Sequence, residues 1–111
     1  MKNGKIKIID IGHKNLNLED AQSLLETTIS QIAYEGNIKV VKIITGHGSG
    51  ALRSSVRKWL QDQEGRFQGV IYGEDYNMFN TLASDMRSEC FVREDLDFGR
   101  NNSAITLVWL W

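Results

Sequence analysis

Two β-branched runs, Ile6 to Ile11 and Ile38 to Ile44, flank a stretch in which Leu18, Ala21, Leu25, Ile29 and Ile32 recur at helical spacing. Apolar β-branched runs favour a sheet, and a 3.6-residue period places one helical face against that sheet. Strand, helix and strand in this order predict a parallel pair joined by a right-handed crossover. Asn17 is placed to cap the helix, Glu19 and Asp20 fall in its first turn, and Gly36 is placed to stop it. Ile8, Ile9 and Ile11 crowd the end of the first run, which predicts a central strand covered on both sides.

The pattern then continues. From Ala51 onward, Leu52, Val56, Trp59 and Leu60 mark the buried stripe of a second helix, which Gly65 ends. Phe67 to Tyr72 reads as a third strand weakened by Gly69, and Ala104 to Trp111 as a fourth. Between them Met78, Phe79, Leu82, Ala83 and Met86 predict a short helix, and Gly99 to Ser103 a turn into the last strand. The chain has 111 residues and 41% hydrophobic content, enough for the core of one α/β domain spanning 1–111. Trp59, Trp109 and Trp111 read as packing aromatics rather than base-stacking ones.

Net charge narrows the partners. At −1 overall, the molecule as a whole would not be drawn to polyanions or acidic membranes, so any nucleic-acid affinity must be local. Gly36 to Gln61 contains Lys39, Lys42, Arg53, Arg57 and Lys58 and no acid, whereas Glu74 to Asp97 is dominated by carboxylates. Two ordinary solvated faces would give the same run of charges. Cys90 stands alone, which excludes an internal disulfide and fits a reducing, cytoplasmic setting. Met1 to Lys7 has no apolar targeting core, and no run is long enough for a membrane span. Oligomeric state is not legible.

Thr45-Gly46-His47-Gly48-Ser49-Gly50 sits between a predicted strand and a predicted helix, where backbone N–H groups converge and favour an anion. Alternate glycines permit left-handed backbone and close approach of a phosphate. The spacing is neither a Walker loop nor a dinucleotide fingerprint; a tight turn holding nothing is the competing reading. Thr45 and Ser49 offer hydroxyls, and Arg53 and Arg57, one turn apart, offer forked donors for neighbouring phosphates. His47 could contact phosphate or move a proton. Asp10, at the C-terminal end of the first strand, stands where open α/β sheets place ligand-binding groups.

These residues together resemble the Smr (small MutS-related) domain family. Ile9-Asp10-Ile11-Gly12-His13 is similar to the family's Leu-Asp-x-His-Gly strand end, and Thr45 to Gly50 with Leu52, Arg53 and Val56 to its glycine loop and following helix. Gly99 to Leu110 resembles its lead into the final strand. The resemblance implies a βαβαββ two-layer sandwich with a mixed four-stranded sheet, related in shape to the C-terminal domain of translation initiation factor three. It also implies binding of DNA or RNA, with endonucleolytic nicking or cutting in many members; a non-catalytic targeting module is the alternative. The segment from about 74 to 98 is a helical insertion longer than the family's usual link.

Gly12 and His13 exchange places relative to the family's pattern. In an extended strand residues two apart share a face, so Asp10 would pair with Gly12 and not with His13. A bulge with Gly12 left-handed would bring His13 back beside Asp10, or His47 could substitute from the loop. Asp10 could then orient or deprotonate the attacking water or ribose 2′-hydroxyl, or hold magnesium or manganese, with His13 or His47 donating a proton.

Overall fold

A computed structural model describes residues 5–111; residues 1–4, the start of the expected domain, lie outside it. Strands β1 (Ile6–Asp10), β2 (Val40–Ile44), β3 (Gly69–Tyr72) and β4 (Ile105–Trp109) form one mixed sheet in the order β1-β2-β4-β3. Helices α1 (Leu18–Glu35) and α2 (Ala51–Gln61) follow β1 and β2. After β3 come a short 3-10 turn, Gly73–Asp75, and α3 (Thr81–Glu89).

The first helix forms as its sequence dictates. Asn17 accepts a 2.7 Å hydrogen bond from the Asp20 amide, and Gly36, at φ 73°, donates back to Ile32 to close the C-terminus. Ala21, Leu25, Ile29 and Ile32 are its buried stripe. They join Ile9, Val41, Ile43 and Val108 of the sheet and Val56, Trp59 and Leu60 of α2 in one core, the two-layer sandwich. On the other face Val40, Ile71, Leu107 and Trp109 meet Tyr76, Ala83, Met86 and Val92. The insertion thus covers the second sheet face, and β4, buried at every position, is the strand enclosed on both sides.

β1, expected to be central, is instead an edge strand that among the described residues pairs only with β2, and its Ile8 is 57% exposed. The C-terminal β4 enters between β2 and β3, antiparallel to both, and takes the central place. The expected helix over Met78 and Phe79 begins later. Asn77 Oδ1 accepts from the Phe79 amide in a local turn, Asn80 caps α3 through the Ala83 amide, and Met78 and Phe79 stay exposed. Trp59 and Trp109 pack as expected, whereas Trp111 is half-exposed beneath the Lys39 ammonium.

The registers Asp10 with Ile44, Ile44 with Ile105 and Tyr72 with Thr106 bring four chain segments to one end of the sheet. Those following β1, β2 and β3 meet the one preceding β4. The candidate site is built there.

Candidate nucleic-acid interface

Asp10 and His13 meet, but not through a left-handed Gly12 bulge. The Ile11 and Gly12 amides both donate to the Ile44 carbonyl at 3.0 Å, and the chain then turns around the Asp10 carboxylate. Asp10 Oδ1 accepts from the amides of Gly12 (3.1 Å) and His13 (3.3 Å), while Oδ2 lies 2.8 Å from His13 Nδ1. Such an Asx-type turn brings a residue three positions on beside the aspartate without an extra strand residue. The ring hydrogen bond from His13, opposed by a little desolvation and helped by the two amides, holds the Asp10 carboxyl below its ordinary range. An ionised carboxylate only accepts, so Nδ1 carries a proton toward Asp10 and Nε2 faces away from it. The His13 side chain is 80% exposed, which leaves that nitrogen accessible.

Gly12 serves a different need from the one expected. A β-carbon there would stand 2.7 Å from the Thr45 carbonyl carbon and 3.0 Å from the Gly46 nitrogen. The aspartate turn is therefore pressed directly on the backbone of the glycine loop. Only glycine permits that approach.

Within the loop, Gly46, Gly48 and Gly50 have φ of 73°, 35° and 85°, and β-carbons at Gly46 and Gly48 would meet nothing within 4 Å. The glycines are required by backbone conformation rather than by crowding. Thr45 does not offer its hydroxyl outward: it is buried, and its Oγ1 and amide both donate to the Ala104 carbonyl, as does the Gly46 amide. Further along, the amides of His47, Gly48, Ser49 and Gly50 make no hydrogen bond among the described residues. Ser49 Oγ accepts from the Ala51 amide at 3.3 Å, and α2 has no side-chain cap on its N-terminal residue. N–H groups left without a partner at a helix start are of the kind that favours an anion. His47 is exposed at the tip and makes no hydrogen bond to Asp10.

The expected run of basic side chains separates. Arg53 stays at the loop, its guanidinium lying over Gly50 and reaching Ser103 Oγ at 3.5 Å. Arg57 turns inward and is 11% exposed. It forks onto both Glu74 oxygens at 2.8 and 2.7 Å, donates to Thr106 Oγ1 and to the carbonyls of Ser103 and Ile105, and stacks on Tyr72. With its donors so committed, Arg57 locks α2 to the ends of β3 and β4. Lys42 is buried on the second sheet face between Asp95 and Asp97, and Lys58 faces Asp62 at 3.6 Å. The charge contrast along the chain is thus largely cancelled, because Lys42 and Arg57 are neutralised by acids of the insertion.

The same residues do not match a divalent-ion centre. Both Asp10 oxygens are engaged by donors of its own turn, and among the described residues no group of three or more His, Cys, Asp or Glu converges. Among the described residues no helix is long and apolar enough to cross a membrane.

A family model for the Smr domain matches residues 12–71, which takes in the glycine loop and α2 but stops short of Asp10 and of the insertion. No curated protein sequence matches the chain. The fold is similar to the crystal structure of the Smr domain of Thermus thermophilus MutS2, with a TM-score of 0.62 and 17% identity over 95% of this chain and 98% of that one. With the family model matched over more than half of its length on a fold of the same kind, the chain belongs to the Smr domain family.

Proposed function

We propose that this domain holds the phosphate backbone of a nucleic acid on the amides of His47 to Gly50, flanked by Arg53, and cleaves it endonucleolytically. His13 acts as the general base and Asp10 as its positioning partner. The observation that carries this reading is the 2.8 Å Asp10–His13 pair on a turn packed directly against the glycine loop. Open amides suit the negative charge on the non-bridging oxygens of the phosphate, and preorganised donors of this kind stabilise a phosphoryl-transfer transition state. Nε2 of His13 removes a proton from the attacking oxygen, and the imidazolium so formed is stabilised by Asp10. His47, across the loop, is the candidate for protonating the leaving oxygen.

The dyad is best suited to RNA. A ribose 2′-hydroxyl is already tethered beside the phosphorus, so a general base and an anion cradle meet most of its needs through proximity. Attack by free water on DNA lacks that advantage. A binding module without turnover would use the same loop and Arg53, and the exposed, unshielded position of His13 is the feature that favours it.

The test is cleavage of single-stranded and structured RNA, alongside nicking of supercoiled plasmid, with and without magnesium or manganese. The wild type is expected to cut RNA, His13→Ala to lose activity by two orders of magnitude or more, and Asp10→Asn to fall nearly as far. If the wild type binds RNA but cuts neither substrate, the binding module is the correct reading. If Asp10→Asn and His13→Ala both cut like the wild type, the dyad has no catalytic part.

A further inference from the structure

We infer that the segment between β3 and β4 acts as a clamp on the glycine loop. It fixes the turn from Asn102 to Ile105, whose Ala104 carbonyl holds the base of the loop, and Asn102 and Asp97 are the positioning residues. This rests on the reading of the loop as a phosphate site.

The Thr45–Gly46 peptide is the foundation of the loop. Gly12 presses against it, and the Ala104 carbonyl accepts from the Thr45 amide at 2.9 Å, the Thr45 hydroxyl at 3.1 Å and the Gly46 amide at 3.3 Å. The unpaired amides begin at the next residue, His47, so their direction depends on where that carbonyl stands. Donors fixed before the anion arrives bind it without having to order a loop.

The carbonyl is itself held. The peptide unit that carries it ends in the Ile105 amide, which donates to the Asn102 carbonyl at 3.4 Å, and the Ala104 amide donates to Asn102 Oδ1 at 3.0 Å. Asn102 thus grips the peptides on both sides of Ala104, with its side chain in an Asx-type bond. Its Nδ2 donates in turn to Asp97 Oδ1 at 3.1 Å, and Asp97 Oδ2 accepts from Lys42 Nζ at 2.7 Å. Lys42 lies on β2, three residues before Thr45. The bonds therefore close a ring that leaves β2 at Lys42, passes through Asp97, Asn102 and Ala104, and returns to the chain at Thr45.

The start of the segment bears on the same turn. A β-carbon on Gly73, at the exit of β3, would overlap the Asn102 carbonyl oxygen and stand 2.8 Å from that of Ile105, so only glycine lets the chain lie so close. Covering the second sheet face needs apolar side chains alone. The polar link from Asp97 through Asn102 adds what burial does not, a fixed direction for the Ala104 carbonyl.

The test uses the full chain, alone and with labelled twenty-residue uridine RNA, in the wild type, Asn102→Ala, Asn102→Asp, Asp97→Asn, and Asn102→Asp combined with Asp97→Asn. Native-state hydrogen exchange at the Thr45 and Gly46 amides reads the clamp, the Ile29 amide within α1 reads global stability, and Kd reads the consequence. Asn102→Ala is expected to speed exchange at Thr45 and Gly46 about tenfold relative to Ile29, the scale of one net hydrogen bond. RNA binding is expected to weaken about fivefold through lost preorganisation. Asn102→Asp sets two carboxylates face to face and is expected to act alike. Adding Asp97→Asn, which returns a donor to the pair, is expected to bring both readouts back to those of Asp97→Asn alone. If Asn102→Ala does not fold, the Asn102→Asp comparison carries the test. Exchange at Thr45 and Gly46 that rises no more than at Ile29, or no rescue by Asp97→Asn, overturns the clamp. Faster exchange with unchanged Kd, while Arg53→Ala still weakens binding, overturns its role in RNA binding and leaves the loop reading standing. If Arg53→Ala also changes nothing, the loop reading itself falls, and exchange alone decides whether the turn holds Thr45 and Gly46.

Discussion

Arg53 and Arg57 sit one turn apart on α2, and truncating each to alanine should have opposite consequences. Arg57→Ala removes the donor to the fully buried Thr106 hydroxyl, leaves two carbonyls near it short of a partner, and frees Glu74. A lost hydrogen bond with a buried partner left behind costs about 1–3 kcal/mol. The Glu74 pair, a third exposed on the acid side, adds only about 1 kcal/mol after solvent screening. The expected loss is about 3 kcal/mol, a fall of more than about 10 °C in thermal midpoint for a domain of this size. Arg53, with one long 3.5 Å contact to Ser103, should cost less than about 0.5 kcal/mol. Its loss should instead weaken single-stranded RNA binding about tenfold and reduce the salt slope by about 0.7. Differential scanning calorimetry and a salt series of fluorescence-anisotropy titrations measure both quantities. Equal stability of the two variants would refute the inward placement of Arg57, and unchanged RNA affinity in Arg53→Ala would refute its role at the loop.

Other expectations follow from the same contacts. Gly12→Ala should force the aspartate turn off the Thr45–Gly46 backbone, cost about 1–3 kcal/mol and lower cleavage more than RNA affinity; full activity in a folded variant would show that the close approach is dispensable. Lys42→Met should destabilise by about 3–5 kcal/mol, because it strands the Asp95 and Asp97 charges. Chemical denaturation should show most of that loss recovered when both aspartates become asparagine. The hydrogen bond from Arg57, against some desolvation, lowers the Glu74 carboxyl from its ordinary range. Its stabilisation is therefore complete above the ordinary carboxylate pKa of about 4.3 and lost as pH falls through the depressed folded value. Thermal midpoints of the wild type and Glu74→Gln should differ at neutral pH and converge only once the pH has fallen below the depressed Glu74 value, and a gap unchanged by acidification through that range would contradict the pairing.

How far the chain could be read in advance depended on the range of the interactions. α1 was legible to its caps because Asn17, Gly36 and the apolar stripe all act within a few residues of one another. The left-handed backbone of the glycine loop was legible for the same reason, although the loss of the Thr45 donors to the Ala104 carbonyl depends on a residue 59 positions away. The place of β1 at the edge was not legible, since it is decided by where β4 inserts. Asn80 was a cap signal in plain view, overridden by the apolar character of Met78 and Phe79, which the fold leaves exposed. Charge was the least legible of all. Residue type shows that Arg57 and Lys42 are cations, but only the packing of the insertion shows that Glu74, Asp95 and Asp97 consume them. At the site, Asp10 and His13 do meet, and the route to their contact is an Asx turn rather than a left-handed Gly12 bulge.

The backbone of the glycine loop can be watched directly in an amide proton–nitrogen correlation spectrum while a short RNA oligonucleotide is added. The largest, saturable shifts are expected at the amides of His47, Gly48, Ser49 and Gly50, with the His13 ring responding in parallel and the Thr45 and Gly46 amides, bonded to Ala104, moving least. Shifts that bypass residues 47–50, or that appear only on a distant face, would contradict the assignment of this loop as the phosphate cradle.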